Sequence, residues 1–400
     1  MKLAIDDSTL VAPADTKLCE KYHARYSQMA KDLGLSIKEH DQSLDKAFNP
    51  NQKGGNILGL FLDLPTRSWQ ISELKMNHIC ETFAQTVKVT DVYQPVLATL
   101  KDVQEVVGLV NNFAKSSQLL RTLAIIVNAE AATFDATFWD ENIKPKERQS
   151  KLCLFSHQAR VNLATIRAIL LSTASCPLPM EKSKARFLIK GGAHFTFFCD
   201  ASGKPKEITA DNYKPTCLGC YRPATLQCST ATLKSFILPY SWLMSADNKG
   251  LVYHHTSLLE FLPMLCELLS EPARYRRKSL VFYTDNQATV SLFQRQNPVS
   301  IFTAYVLESI NLMEMALECN IRLSWKRRRS SYGMALADDA THANHSRADD
   351  SIICTRQSLP TPLFNVIHCS ENFLNHKFNF LRREIKLYLR DKCPDVKFPV

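Results

Sequence analysis

The chain reads as a mixed α+β and α/β protein, and three observations carry that reading. Short apolar runs of strand length alternate with segments whose apolar residues recur at helical spacing. With 400 residues, 45% of them hydrophobic, there is enough chain and apolar content for two or three domains with real cores. Four acids, Asp200, Glu260, Asp285 and Asp338, follow one another in separate contexts tied to these strand and helix segments.

The elements can be justified in chain order. Leu18, Tyr22, Tyr26, Met29 and Leu33 recur at helical spacing and stop at Gly34, where a C-cap glycine would stand. Ile57 to Asp63, with Gly59 inside it, reads as a hairpin turn, and Ser68 to Ile71 as the next short strand. Thr99 and Asp102 have capping-box spacing ahead of a helix lined by Leu100, Val103, Val107, Val110 and Phe113. Leu119 to Val127 and Gln158 to Leu171 give two more helices, separated by the polar linker Asn142 to Lys151.

His194 to Cys199 is a strand-like run carrying three Phe, which puts Asp200 at a strand end. Ser257 and Glu260 repeat the capping-box spacing, here ahead of a helix through Leu262, Leu265 and Leu269. Leu280 to Tyr283 is a short apolar strand, and Asp285 begins the helix through Val290, Leu292 and Phe293. Ile321 to Trp325 is a further strand, after which Asp338 opens a small Ala-rich segment. Leu359-Pro360-Thr361-Pro362 breaks regular structure. Phe373 to Leu389 then reads as an amphipathic helix with Phe378, Leu381, Ile385 and Leu389 on one side, expected to pack on the preceding domain.

Taken singly, Glu260 reads as a helix cap, Asp285 as an N-cap and Asp338 as a surface acid in a loop. Their order and the strand and helix alternation around them point instead to one carboxylate site. Phosphodiester cleavage needs an ionised water and relief of negative charge at phosphorus, and two Mg²⁺ ions about 3.5–4 Å apart provide both. Such hard cations take oxygen ligands and keep waters, so acids on four different elements suit them.

The segments Cys199-Asp200-Ala201-Ser202, Leu258-Leu259-Glu260, Tyr283-Thr284-Asp285-Asn286 and Leu336-Ala337-Asp338-Asp339-Ala340-Thr341 resemble the ribonuclease H domain of retroelement reverse transcriptases, with the DIRS-type retrotransposons nearest in flavour. The resemblance implies a ribonuclease H-like mixed sheet with flanking helices, and two Mg²⁺ ions, or Mn²⁺, that cleave the RNA strand of an RNA–DNA hybrid. It implies that Asp200 bridges the ions, that Glu260 and Asp285 hold one, and that Asp338 holds the other. The insertion at 204–216 departs from the family pattern, in which the second strand follows almost directly.

The start of the chain carries a second resemblance. Leu3-Ala4-Ile5-Asp6-Asp7-Ser8 is similar to the palm hairpin of a reverse transcriptase, with Ala4 at the usual aromatic position, and Ile57 to Asp63 to its primer grip. Asp6 and Asp7 are then expected metal ligands at a primer terminus. Because Met1 stands directly before this turn, polymerisation is not expected from this chain alone, and a separate chain would supply the missing fingers and palm. The expected organisation is a partial palm over 1–73, a helical thumb and connection over 74–185, the nuclease-like domain over 186–345 and an extension over 346–400. A catalytically silent nucleic-acid-binding remnant is the alternative.

Charge agrees with a nucleic-acid partner. The net charge is +10, and Lys and Arg gain binding energy by releasing phosphate counterions. Two clusters, Arg274, Arg276, Arg277 and Lys278, and Lys326, Arg327, Arg328 and Arg329, border the acid-bearing strands and are the expected phosphate contacts; solvated loops or a nuclear localisation run are the other readings. Thirteen cysteines without a secretory signal or a membrane-spanning apolar run suit an intracellular, cytoplasmic or nuclear protein, neither secreted nor membrane-bound. Cys217, Cys220 and Cys228 fall short of a zinc ligand set, which leaves free thiols.

Overall fold

Apolar spacing and capping chemistry lay down most of the elements of the computed structural model. It describes residues 54–57, 60–63, 68–71, 73–88, 93–114, 117–175, 178–179, 193–202, 217–226, 228–238, 256–296, 298, 301–328, 331–368 and 374–396, with Arg25, Gln28, Met29 and Asp32. Asp6, Asp7, Arg329, the 204–216 insertion and most of the 18–33 helix expected from sequence lie outside the described residues.

These residues belong to two units, one made of 1–78 and 169–180, the other of 79–168 and 181–400. In the first, β1 (Gly54–Ile57), β2 (Leu60–Asp63) and β3 (Ser68–Ile71) form successive antiparallel pairs, and a strand at Leu178–Pro179 joins the far side of β3. The strand read at Ser68 to Ile71 is therefore present, with Trp69 and Ile71 buried beneath it. The Ile71 N–H donates to Thr173 Oγ1 at 3.0 Å, so residues 169–180 return to this sheet.

Helices follow, and the chain passes from the first unit to the second within the first of them. α1 (Glu73–Thr86) buries Ile79 and Phe83 on its C-terminal part, and α2 (Leu100–Ala114) starts at the expected capping box. Thr99 Oγ1 accepts from the Asp102 N–H at 3.2 Å, and Asp102 accepts from the Thr99 N–H at 3.1 Å. Val106, not Val107, lies on the buried stripe of α2. Ser117 caps α3 (Gln118–Thr137), and α4 (His157–Ser172) follows. The linker read as purely polar contains a short helix, Pro145–Gln149, whose proline sits in the first turn, where no N–H is needed.

The sheet comprises β4 (Phe195–Ala201), β5 (Cys217–Arg222), β6 (Ala231–Ile237), β7 (Ser279–Thr284), β8 (Asn320–Trp325) and β9 (Ile352–Ser358), in the order β8-β7-β4-β5-β6-β9. β4, β5 and β6 are an antiparallel meander; β7 runs parallel to β4, β8 parallel to β7, and β9 parallel to β6. Residues of the expected extension from 346 onward thus supply a strand of the sheet. Ile352 is buried against the core, and the rest of β9, mostly exposed, joins through its backbone pairing with β6.

Helices cover both faces. α5 (Thr256–Ser270) and, behind it, α7 (Ile301–Ala316) lie on one side, while α6 (Gln287–Arg295) follows β7. α8 (Tyr332–Thr341) covers the other side, where Phe198, Tyr221 and Leu233 meet Met334, Leu336, Ala337 and Ala340. α9 (Leu374–Lys392) packs on α7 through Leu381, Ile385 and Leu389, all fully buried, in agreement with the packing role read from its spacing. The fold is accordingly mixed α/β with a six-stranded sheet. Among the described residues, no helix is long and apolar enough to cross a membrane.

Candidate metal centre

Asp200 stands on the last turn of pleat in β4, where it pairs with Gly219 of β5. The parallel register of β4 with β7 runs from Phe195↔Leu280 to Phe198↔Tyr283. Carried two residues further, it sets Asp285 abreast of Asp200, and neighbouring strands lie about 4.8 Å apart. Both acids therefore sit at the carboxyl ends of adjacent parallel strands, a usual place for sites in such sheets.

Local chemistry frees each carboxylate for this position. Asp285 does not cap α6 as expected; Asn286 does, its side chain accepting from the Thr289 N–H at 3.1 Å. Glu260 is likewise no cap, because α5 begins at Thr256 and Glu260 lies beyond its first turn. Its carboxylate turns to β7 and accepts from Thr284 Oγ1 at 3.0 Å. Asp338 does not open its segment but lies inside α8, which starts behind the cap Ser331.

Two glycines bring α8 close enough for Asp338 to reach. A Cβ on Gly219 would stand 2.0 Å from the Ala337 carbonyl oxygen, and one on Gly333 would meet the Phe198 ring at 2.5 Å. The residue opposite Asp200 in the sheet is thus the one that lets the helix carrying Asp338 lie against it.

One oxygen from each of Asp200, Glu260 and Asp285 lies within 4.8 Å of the other two, so this buried acidic triad could hold a metal ion. Asp338 joins through Arg328, which follows β8 and reaches three carboxylates at once. Its Nε is 2.8 Å from Asp285 Oδ2, Nη1 is 2.9 Å from Asp338 Oδ1, and Nη2 is 3.2 Å from Asp200 Oδ2.

The donor set fits a hard divalent cation, since every donor is a carboxylate oxygen. Asp200 Oδ2 adds a more specific sign: it is buried and receives no hydrogen bond of adequate geometry, despite the nearby guanidinium. Burial, the charge of Glu260 and, more weakly, those of Asp285 and Asp338 push Asp200 up to about 8, against the pull of Arg328. Burial also pushes Glu260 up to about 7; Asp285 adds to this, while hydrogen bonds from Thr284 and Asn286 and the charge of Arg328 oppose it. Repulsion of this kind is what a bound cation would relieve.

The two basic clusters part company. Arg274, Arg276, Arg277 and Lys278 precede β7, at the opposite end of that strand from Asp285, and six residues of strand span about 20 Å. Arg274 pairs there with Glu271, Arg276 with Asp395 at 3.6 Å and Arg277 with Glu318 at 2.7 Å. The first cluster thus stands about 20 Å from the acids, and only the second borders them. Within it, Lys326 lies over the Phe198 and Tyr283 rings, 5.1 Å from each centroid, and Arg328 joins the carboxylates. Nothing in the sequence separates Arg328 from its basic neighbours, and Thr284, just past the strand read at Leu280 to Tyr283, gives no sign there of its bond to Glu260. Cys217, Cys220 and Cys228 are thiols outside any disulfide, with Cys217 and Cys220 on alternate faces of β5.

Comparison with protein-family models and with curated proteins yields no match to this chain. Fold and site together define a mixed α/β protein with a buried carboxylate cluster able to hold a metal ion.

Proposed function

We propose that this chain is a retroelement reverse-transcriptase derivative whose nuclease domain, of the ribonuclease H type, hydrolyses the RNA strand of an RNA–DNA hybrid with two Mg²⁺ or Mn²⁺ ions. The observation that carries the reading is the convergence of acids from β4, α5, the end of β7 and α8, four residues far apart in the sequence. An antiparallel meander extended by three parallel strands, β7 and β8 on one side and β9 on the other, and flanked by helices supports this reading.

Asp200, Glu260, Asp285 and Asp338 would hold the ions. Divalent ions in such a place ionise the attacking water and neutralise charge building at phosphorus. The chain's own residues set up the conditions. Thr284 fixes the Glu260 carboxylate by hydrogen bonding, and Asn286 keeps Asp285 out of the helix cap. Gly219 and Gly333 hold α8, and with it Asp338, against the sheet. Lys326 and Arg327, at the exit of β8, place positive charge beside the cluster, where a phosphate backbone would approach.

Cleavage of a labelled RNA–DNA hybrid by the full chain in Mg²⁺ or Mn²⁺ tests this. Wild-type protein is expected to cut the RNA strand, and Asp200→Asn to lose at least about 100-fold of that rate while keeping its circular dichroism spectrum. Salt-sensitive hybrid binding without cleavage, unchanged in Asp200→Asn, would instead mark a silent binding module.

A further inference from the structure

Arg328 is the feature of the site that the proposed nuclease chemistry does not use. All three of its guanidinium nitrogens are committed to carboxylates, on Asp285, Asp338 and Asp200. Those acids come from two strand ends and a helix, and no other described side chain pairs with all three. The arginine itself lies in the connection between β8 and α8, and its side chain is 44% exposed. It reaches inward from a surface segment and is not locked into the core.

Charge makes the arrangement intelligible. Asp200 is 1% exposed and is surrounded by Glu260, Asp285 and Asp338, so like charges crowd one pocket. A planar fork with several donors is suited to bridging such a cluster, as a compact ammonium is not. The same oxygens are those a divalent cation needs, at about 2.0–2.1 Å for Mg²⁺. A guanidinium 2.8–3.3 Å from those oxygens fills the space between them, so the two cations cannot share the pocket.

We propose that Arg328 is a tethered cation that holds the carboxylate cluster together before metal arrives and competes with divalent ions for it. Loading the site then requires Arg328 to swing out along its half-exposed path. Once released, its fork can pair with a phosphate oxygen. Metal and nucleic acid are thereby coupled through one side chain: each removes Arg328 from the acids or gives it a new partner. This inference rests on the metal-site reading above.

The test is calorimetric titration of Mn²⁺ into the full chain, comparing wild type, Arg328→Gln and Arg328→Lys, with Asp200→Asn as the control that removes the site. Arg328→Gln is expected to bind Mn²⁺ more tightly than wild type, on the order of tenfold, the usual size of a coupling between two ligands. Arg328→Lys keeps a charge but loses the fork, and falls between the two. Arg328→Gln should also melt lower than wild type without metal and gain more from added Mn²⁺. If repulsion among the acids prevents Arg328→Gln from folding, the Arg328→Lys comparison decides. Mn²⁺ affinity equal to or weaker than wild type in the folded variant overturns the competition while leaving the metal site standing. Absence of Mn²⁺ binding in wild type and variants alike overturns both.

Discussion

At the scale of single residues, Asp200 and Glu260 couple the site to pH. Both carboxyls are raised above their ordinary values of 3.8 and 4.5, to about 8 and about 7, chiefly by burial and then by neighbouring carboxylates. The charged groups facing Asp200 come from every element around it: Glu260 on α5, Asp285 after β7, Asp338 on α8 and Arg328 after β8. A folded acid with a raised value binds more protons than its unfolded form, so its contribution to stability is present at low pH and is lost as pH climbs through the folded value. Without divalent ions, the melting temperature should therefore fall from about pH 4, near the unfolded carboxyl values, to about pH 8 and level off above it. Glu308, buried beside Arg382 and also raised to about 7, adds to that fall, so the informative quantity is the difference between wild type and Asp200→Asn. Thermal melts should show a shallower fall in the variant, and Mn²⁺ should flatten the wild-type curve because it binds the deprotonated acids. Identical slopes in the two proteins would show that Asp200 is not perturbed.

Among elements, α8 and its seat on the sheet decide whether Asp338 belongs to the site. Gly219→Ala would drive a Cβ to 2.0 Å from the Ala337 carbonyl oxygen, a backbone atom with little room to yield. Overpacking costs roughly 1–3 kcal/mol and sometimes more, so the urea midpoint should drop, and Mn²⁺ affinity with it as Asp338 moves outward. A variant as stable as wild type, with unchanged Mn²⁺ affinity, would mean that α8 is not held in this way. The sequence made several such elements legible. The capping box at Thr99 and Asp102, the strand from Ser68 to Ile71 and the apolar side of α9 all follow from local chemistry that needs no distant partner. What failed was the finer placement of the acids. Asp285 and Asn286 are both good caps, and only the nonlocal ion pair of Asp285 with Arg328 shows which of them serves. Asp338 looked like the opening of a segment because Ser331, the true cap, precedes an unremarkable Tyr332 and Gly333.

Over the whole molecule, the acids were legible as a set because the four come in order among periodic strand and helix segments. Their distances were not, since they depend on nonlocal pairing of β4 with β7 and β5. The same limit hid β9, whose mostly exposed strand offers little apolar alternation and joins the sheet through hydrogen bonds to β6. It also hid the role of Arg328, one basic residue in a run of four, whose meaning comes from three carboxylates contributed by other elements. The net charge of +10 favours anionic partners, and on the proposed reading such a partner would meet the acids at the carboxyl ends of β4 and β7.

The most direct test of the account is anomalous diffraction from crystals of the full chain grown with Mn²⁺. Two peaks among Asp200, Glu260, Asp285 and Asp338, with the Arg328 guanidinium displaced from them, are predicted. Arg328 still bridging the acids, with no anomalous peak between them, would contradict it.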